Sequence, residues 1–146
     1  MSRTLAIVLT LAAGLLVGLQ PPANAALSRY VGDFGAAFVS IAISMAVIGV
    51  LLLVIGHPGR LSGLGSIRPQ HLIGGLGGAA VVSISLIAVR PLGAGPVVAL
   101  LVAGQLIIAV VADRLGWFGL HRVDINAART IGLLLVVGGT VLITRT

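Results

Sequence analysis

The chain contains no cysteine, no glutamate and no lysine, and aromatic residues make up only 3% of it. Without cysteine there is no disulfide framework, no thiolate nucleophile and no cysteine zinc cluster. Without glutamate the carboxylates reduce to Asp33, Asp113 and Asp124, which limits any proton-coupled mechanism. No Ser-His-Asp grouping and no His/Asp set with metal-ligand spacing is present, so neither an enzyme nor a metal or other cofactor is expected. Charged residues are scarce as well, at 8%. A soluble domain of 146 residues needs polar faces on its helices, and this composition is too apolar to supply them. The net charge of +6 would suggest nucleic acid in a soluble protein. Here every basic residue is an arginine at or near the end of an apolar run, a pattern that sets membrane topology and meets anionic headgroups. The partner it implies is the lipid bilayer, not nucleic acid.

What the chain has in abundance is apolar length: 58% of residues are hydrophobic and the mean hydropathy is +1.21. The stretch around which the rest is organised is Pro96 to Leu120, uncharged as far as Ala112 and interrupted by one amide, Gln105. It closes with Asp113-Arg114, then Gly116, Trp117 and Gly119. A charged pair, an interfacial Trp and chain-breaking glycines suit the exit of a membrane helix. Similar runs predict spans over residues 4–20, 34–56, 71–89, 96–115 and 128–144. The expected fold is an all-α integral membrane protein, a single domain of five transmembrane helices with no soluble module.

The first run follows Arg3 and is expected to stop at Pro21-Pro22, which lack N–H donors. Its residues allow two readings. Arg3, the apolar core and Ala23-Asn24-Ala25 look like a cleavable signal peptide. The Gly14/Gly18 pair, extended by Thr10 and Ala6, instead suits a retained helix approached closely by another backbone. In the second run Ser40 and Ser44 lie one turn apart. Their hydroxyls either bond back to their own helix or a neighbour, or line a solute path. The loop between the second and third runs contains SGLGS, which has neither the preceding strand nor the Gly-Lys-Ser/Thr of a phosphate loop.

The third run carries Gly74, Gly75, Gly77 and Gly78, and Gly75, Ala79 and Ser83 recur at four-residue spacing. Such a face predicts the helix most closely surrounded by protein. Arg90-Pro91 is expected to end it, leaving Leu92 to Gly95 for a tight turn. In the fourth run Gln105, Ala109 and Asp113 share one face, linking a mid-depth amide to an interfacial carboxylate. Gln105 either contacts a solute or bonds a neighbouring helix. Asp113 either pairs with Arg114, His71 or solvent, or gates one mouth of a path. The last run borrows Ala127-Ala128 to span, and Gly132 and Gly139 keep to one seam.

Leu19-Gln20 with Asn24-Ala25, the glycine pairs at 74–75 and 77–78, Ala103-Gly104-Gln105, Asp113, Gly116, Phe118-Gly119 and Gly138-Gly139 resemble one known family. It is the YdcZ-type branch of the drug/metabolite transporter superfamily, five-helix proteins of the bacterial inner membrane. The resemblance covers nearly the whole chain and is most specific from Gly104 to Gly119. It implies a secondary transporter or exporter of a small molecule, and a first helix that is retained, with Met1 or Ser2 kept. Gln20 and Asn24 then belong to a helix exit that could line the opposite mouth. Larger members of the superfamily contain two inverted five-helix repeats, so this chain supplies one half. Related small multidrug exporters carry a glutamate in the first helix. Its absence here sets the chain apart from carboxylate-coupled drug antiport.

The other half is expected to be an antiparallel second copy or a paralogue, with the solute between the two. The alternative is a non-transporting membrane subunit that stabilises a partner membrane protein. With a cytoplasmic N-terminus, Arg3, Arg60, Arg68, Arg114, Arg122 and Arg129 lie inside and Arg29, Arg90 and Arg145 outside. The excess of arginine inside favours that orientation.

Overall fold

A computed structural model describes residues 2–67, 72–119 and 121–145. Met1, Arg68 and His71 lie outside the described residues, and the expectations for them rest on sequence. Among the described residues there are five α-helices and no strand: α1 Arg3–Val31, α2 Asp33–Val54, α3 Ile73–Leu92, α4 Ala94–Leu115 and α5 Ala127–Thr144. All five are long and apolar enough to cross a bilayer. The chain divides into two compact units, Met1–Ile87 and Ala88–Thr146.

In the first unit α1 packs against α2. Ser2 caps α1, its Oγ accepting from the Leu5 N–H at 3.2 Å. The paired prolines do not end this helix; Pro21 and Pro22 lie inside its 29 residues. The magnitudes explain the difference. Proline at 21 and 22 withholds N–H donors from the Val17 and Gly18 carbonyls, costing about 3 kcal/mol per proline on helix scales. Unwinding the chain there would leave several more peptide groups without partners in lipid, each costing several kcal/mol. Continuing the helix is the smaller loss. Ala23-Asn24-Ala25 is therefore mid-helix, and α1 ends instead at Gly32.

Gly32 is the whole connection to α2, with φ 73° and ψ 169°. A side chain is poorly tolerated in that region of backbone space, which explains glycine at a one-residue joint. α2 stops at Val54, with the Ile55 and Gly56 N–H groups both donating to the Leu51 carbonyl. Nine residues of 3-10 helix follow, Pro58–Ser66, in place of the irregular loop expected there.

α3 runs through Pro91, because in the last turn a missing N–H removes one bond and disturbs nothing beyond it. Within the first unit, and among the described residues, a methyl group at Gly74, Gly75, Gly77 or Gly78 would meet no neighbouring atom within 4 Å. The residues α3 buries are Ser85 and Leu86, nearer its other end. The expectation of a helix closely surrounded along its glycines thus finds no packed neighbour within the first unit.

The second unit is built on α4 against α5. Gly93, with φ 81° and ψ 164°, is the one-residue step into α4. α4 closes at Gly116 in a left-handed cap, and Phe118 also has positive φ, 57°, so the chain turns sharply after the helix. Trp117 and Phe118 remain exposed there, as interfacial anchors would. The returning segment covers the end of α4: the Val123 N–H donates to the Asp113 carbonyl at 3.1 Å, and Arg114 pairs with Asp124. Asn126 caps α5, accepting from the Arg129 N–H at 2.9 Å. Each membrane-crossing window buries no more than 11% of its residues within the chain.

Candidate functional site

The geometry of the second unit points to the seam between α4 and α5. Two cavities lie along it, of about 390 and 400 Å³, and Val136 lines both. On α4 the lining steps from Gly95 through Ala99, Val102, Leu106 and Ala109 to Asp113. Successive gaps of three and four residues place these on one helix face. On α5 it runs the opposite way, from Ile143 through Gly139, Val136 and Gly132 to Arg129. The two stripes form one groove along the pair, apolar over most of its length. Gly95, Ala99, Gly132 and Gly139 leave its walls nearly bare of side chains, which makes room along it. One cross-helix bond fastens it: Thr140 Oγ donates at 3.3 Å to the Ala99 carbonyl and at 2.8 Å to the Val136 carbonyl of its own helix.

One end of the groove is charged. Arg129 Nη1 lies 3.5 Å from Asp113 Oδ2, with the side chains 38% and 37% exposed. That exposure limits the pair's contribution to stability to about 0–1 kcal/mol. The contact is one of charge alone, since Nη1 is buried without a hydrogen-bond acceptor. The expected neighbour Arg114 is not the partner of Asp113; it pairs with Asp124 in the returning segment. Sequence reasoning missed Arg129 because sixteen residues separate it from Asp113. The available signal was that both end their helices on one side of the membrane, joined by a short connection.

The other predicted residues are dispersed. Ala109 and Asp113 line the groove, but Gln105, on the expected stripe with them, is exposed and absent from its lining, where Leu106 stands instead. Ser44 Oγ donates to the Ser40 carbonyl at 3.0 Å, the local bond that the simpler reading gave it. Gln20 and Asn24 fall inside α1, not at an exit; Gln20 is exposed and Asn24 is 7% exposed. The Asn24 amide nitrogen is buried with no acceptor. The packing glycines Gly14, Gly18, Gly132 and Gly139 would accept a methyl group with no atom within 4 Å. Among the described residues no three His, Cys, Asp or Glu side chains gather as a metal site.

Five apolar helices and a groove with a single charged mouth define a multi-pass membrane protein. A family model described as "Putative inner membrane exporter, YdcZ" matches residues 5–142. The chain belongs to that family, which is placed in the drug/metabolite transporter superfamily. No curated protein and no solved structure matches it.

Proposed function

We propose that the protein exports a small organic solute across the bacterial inner membrane, without enzymatic chemistry, and that two chains in antiparallel orientation form the working unit. The observation that carries this reading is the groove along α4 and α5, apolar through its length and charged only at Asp113 and Arg129. A groove open on one side needs a cover to exclude lipid, and a second chain supplies it. An antiparallel copy sets a charged mouth at each membrane face, which suits alternating access through related halves. With a cytoplasmic N-terminus, the mouth of each chain so oriented lies at the cytoplasmic side, where an exporter loads.

Reconstitution tests the proposal. The solute is first identified by comparing what cells with and without the protein release. Purified protein in liposomes should then move that solute with no other chain added. Gly132→Leu, which fills the groove beside Arg129, should stop the flux while the helical content stays unchanged. Flux that depends on an added partner other than a paralogous five-helix chain would favour a non-transporting subunit.

A further inference from the structure

Resting on the export reading, we infer that the solute is an amphipathic zwitterion: a small molecule with an ammonium and a carboxylate on one end and an apolar body on the other. Asp113 and Arg129 attract each other across 3.5 Å, yet Arg129 Nη1 has no hydrogen-bond acceptor. The pair is complete in charge and incomplete in hydrogen bonds. A solute carboxylate offers Arg129 the planar acceptor that its guanidinium fits, and a solute ammonium offers Asp113 a donor. The exchange leaves the mouth neutral throughout.

A solute with one charge fares worse. An anion would take Arg129 and strand Asp113; a cation would do the reverse. In a partly desolvated site an unpartnered charge is costly. A neutral apolar solute would gain nothing from the pair.

The rest of the cavity specifies the body of the solute. Beyond the ion pair the lining is Leu106, Ala109, Val110, Leu133 and Val136, with Gly132 leaving room beside them. The space of about 390 Å³ is at the small end of ligand pockets. Leu106 lies two helical turns below Asp113, so the apolar part enters first and the charged head stays near the interface.

The test reads the charge class of the solute and then changes it. Comparison of solutes released by cells with and without the protein should reveal a zwitterion with an apolar side group. A released solute that is a simple cation, anion or uncharged molecule would overturn this inference and leave export standing. Release of no solute would remove the export reading itself. The variants give a second, independent readout in liposomes, using the identified solute, its carboxamide (a cation) and its N-acetyl form (an anion). The wild-type protein should prefer the zwitterion. Asp113→Asn should shift the preference toward the N-acetyl form, and Arg129→Gln toward the carboxamide, each by about tenfold or more, since a charge-assisted hydrogen bond is at stake. A merely structural ion pair would lower all three fluxes together and leave their ratios unchanged, and that result would overturn the assignment.

Discussion

Asp113 and Arg129, sixteen residues apart in the chain, come within 3.5 Å of one another at the mouth of the groove. A helix face follows from spacing alone, so any helical reading of the fourth run puts Ala109 and Asp113 together. A partner on the next helix depends on how the two helices are rotated, and sequence spacing carries no such information. Gln105 shows the same limit. It shares a nominal stripe with Asp113, yet Leu106, a single residue on, occupies the lining at that level. An exposed amide on an otherwise apolar helix is costly in lipid, so we expect Gln105 to bond the second chain. Gln105→Leu should then leave the single chain folded and weaken pairing by about 0.6–2 kcal/mol, the range of hydrogen bonds between membrane helices. The dimer fraction in detergent, followed over a range of protein-to-detergent ratios, measures this. Unaltered pairing with lost flux would instead place the amide on the solute path.

At the scale of elements, helix existence was readable from apolar length, whereas the ends of α1 and α3 were not. The rule that proline stops a helix holds where water can take up the freed peptide groups. Lipid removes that alternative at Pro21-Pro22, and Pro91 is tolerated because it stands in the last turn. The two one-residue joints also escaped notice, since around them the sequences share only the glycine and an arginine three residues before it, Arg29 or Arg90. At each, the glycine N–H donates four residues back, from Gly32 to the Ser28 carbonyl and from Gly93 to the Val89 carbonyl. Each joint also has a buried polar residue eight positions before it, Asn24 or Ser85, and a buried apolar one four positions after, Ala36 or Val97. The α1–α2 and α3–α4 connections thus repeat one backbone device without a sequence repeat. Gly32→Ala and Gly93→Ala should each cost about 1–3 kcal/mol, because the φ values of 73° and 81° with extended ψ suit glycine alone. Unfolding of the purified protein in bicelles would show it. Gly49→Ala, inside α2 and with no atom within 4 Å of the added methyl, should be neutral or slightly stabilising in the same assay.

For the whole molecule, the apolar surface that a helix pair leaves uncovered must meet lipid or protein. The family match spans residues 5–142, so all five helices belong to the family's pattern. An odd number of crossings puts the termini on opposite sides. With Arg60, Arg114, Arg122 and Arg129 in loops and helix ends on the side of the N-terminus, that side is expected to be cytoplasmic. A reporter fused at Thr146 should accordingly appear mainly in the periplasm; mainly cytoplasmic signal would reverse the assignment, and equal signals would mean dual insertion. Pairing is tested on the groove. Gly132 lines the cavity beside Arg129 and Gly139 the cavity beyond Val136, and neither presents a side chain to a partner. If two α5 helices cross antiparallel near Val136, position 132 of one chain faces position 139 of the other. Single cysteines in place of Gly132 and of Gly139, co-expressed on two tagged copies, should crosslink as the mixed 132–139 pair more readily than as either like pair. An arginine excess on one side argues that a single chain prefers one orientation, so a paralogous chain of opposite bias, when supplied, should compete for the antiparallel position and lower the yield of that mixed crosslink. Strong 132–132 and 139–139 crosslinks without the mixed product would mean parallel association. That arrangement sets both charged mouths at the same membrane face and removes the basis for alternating access.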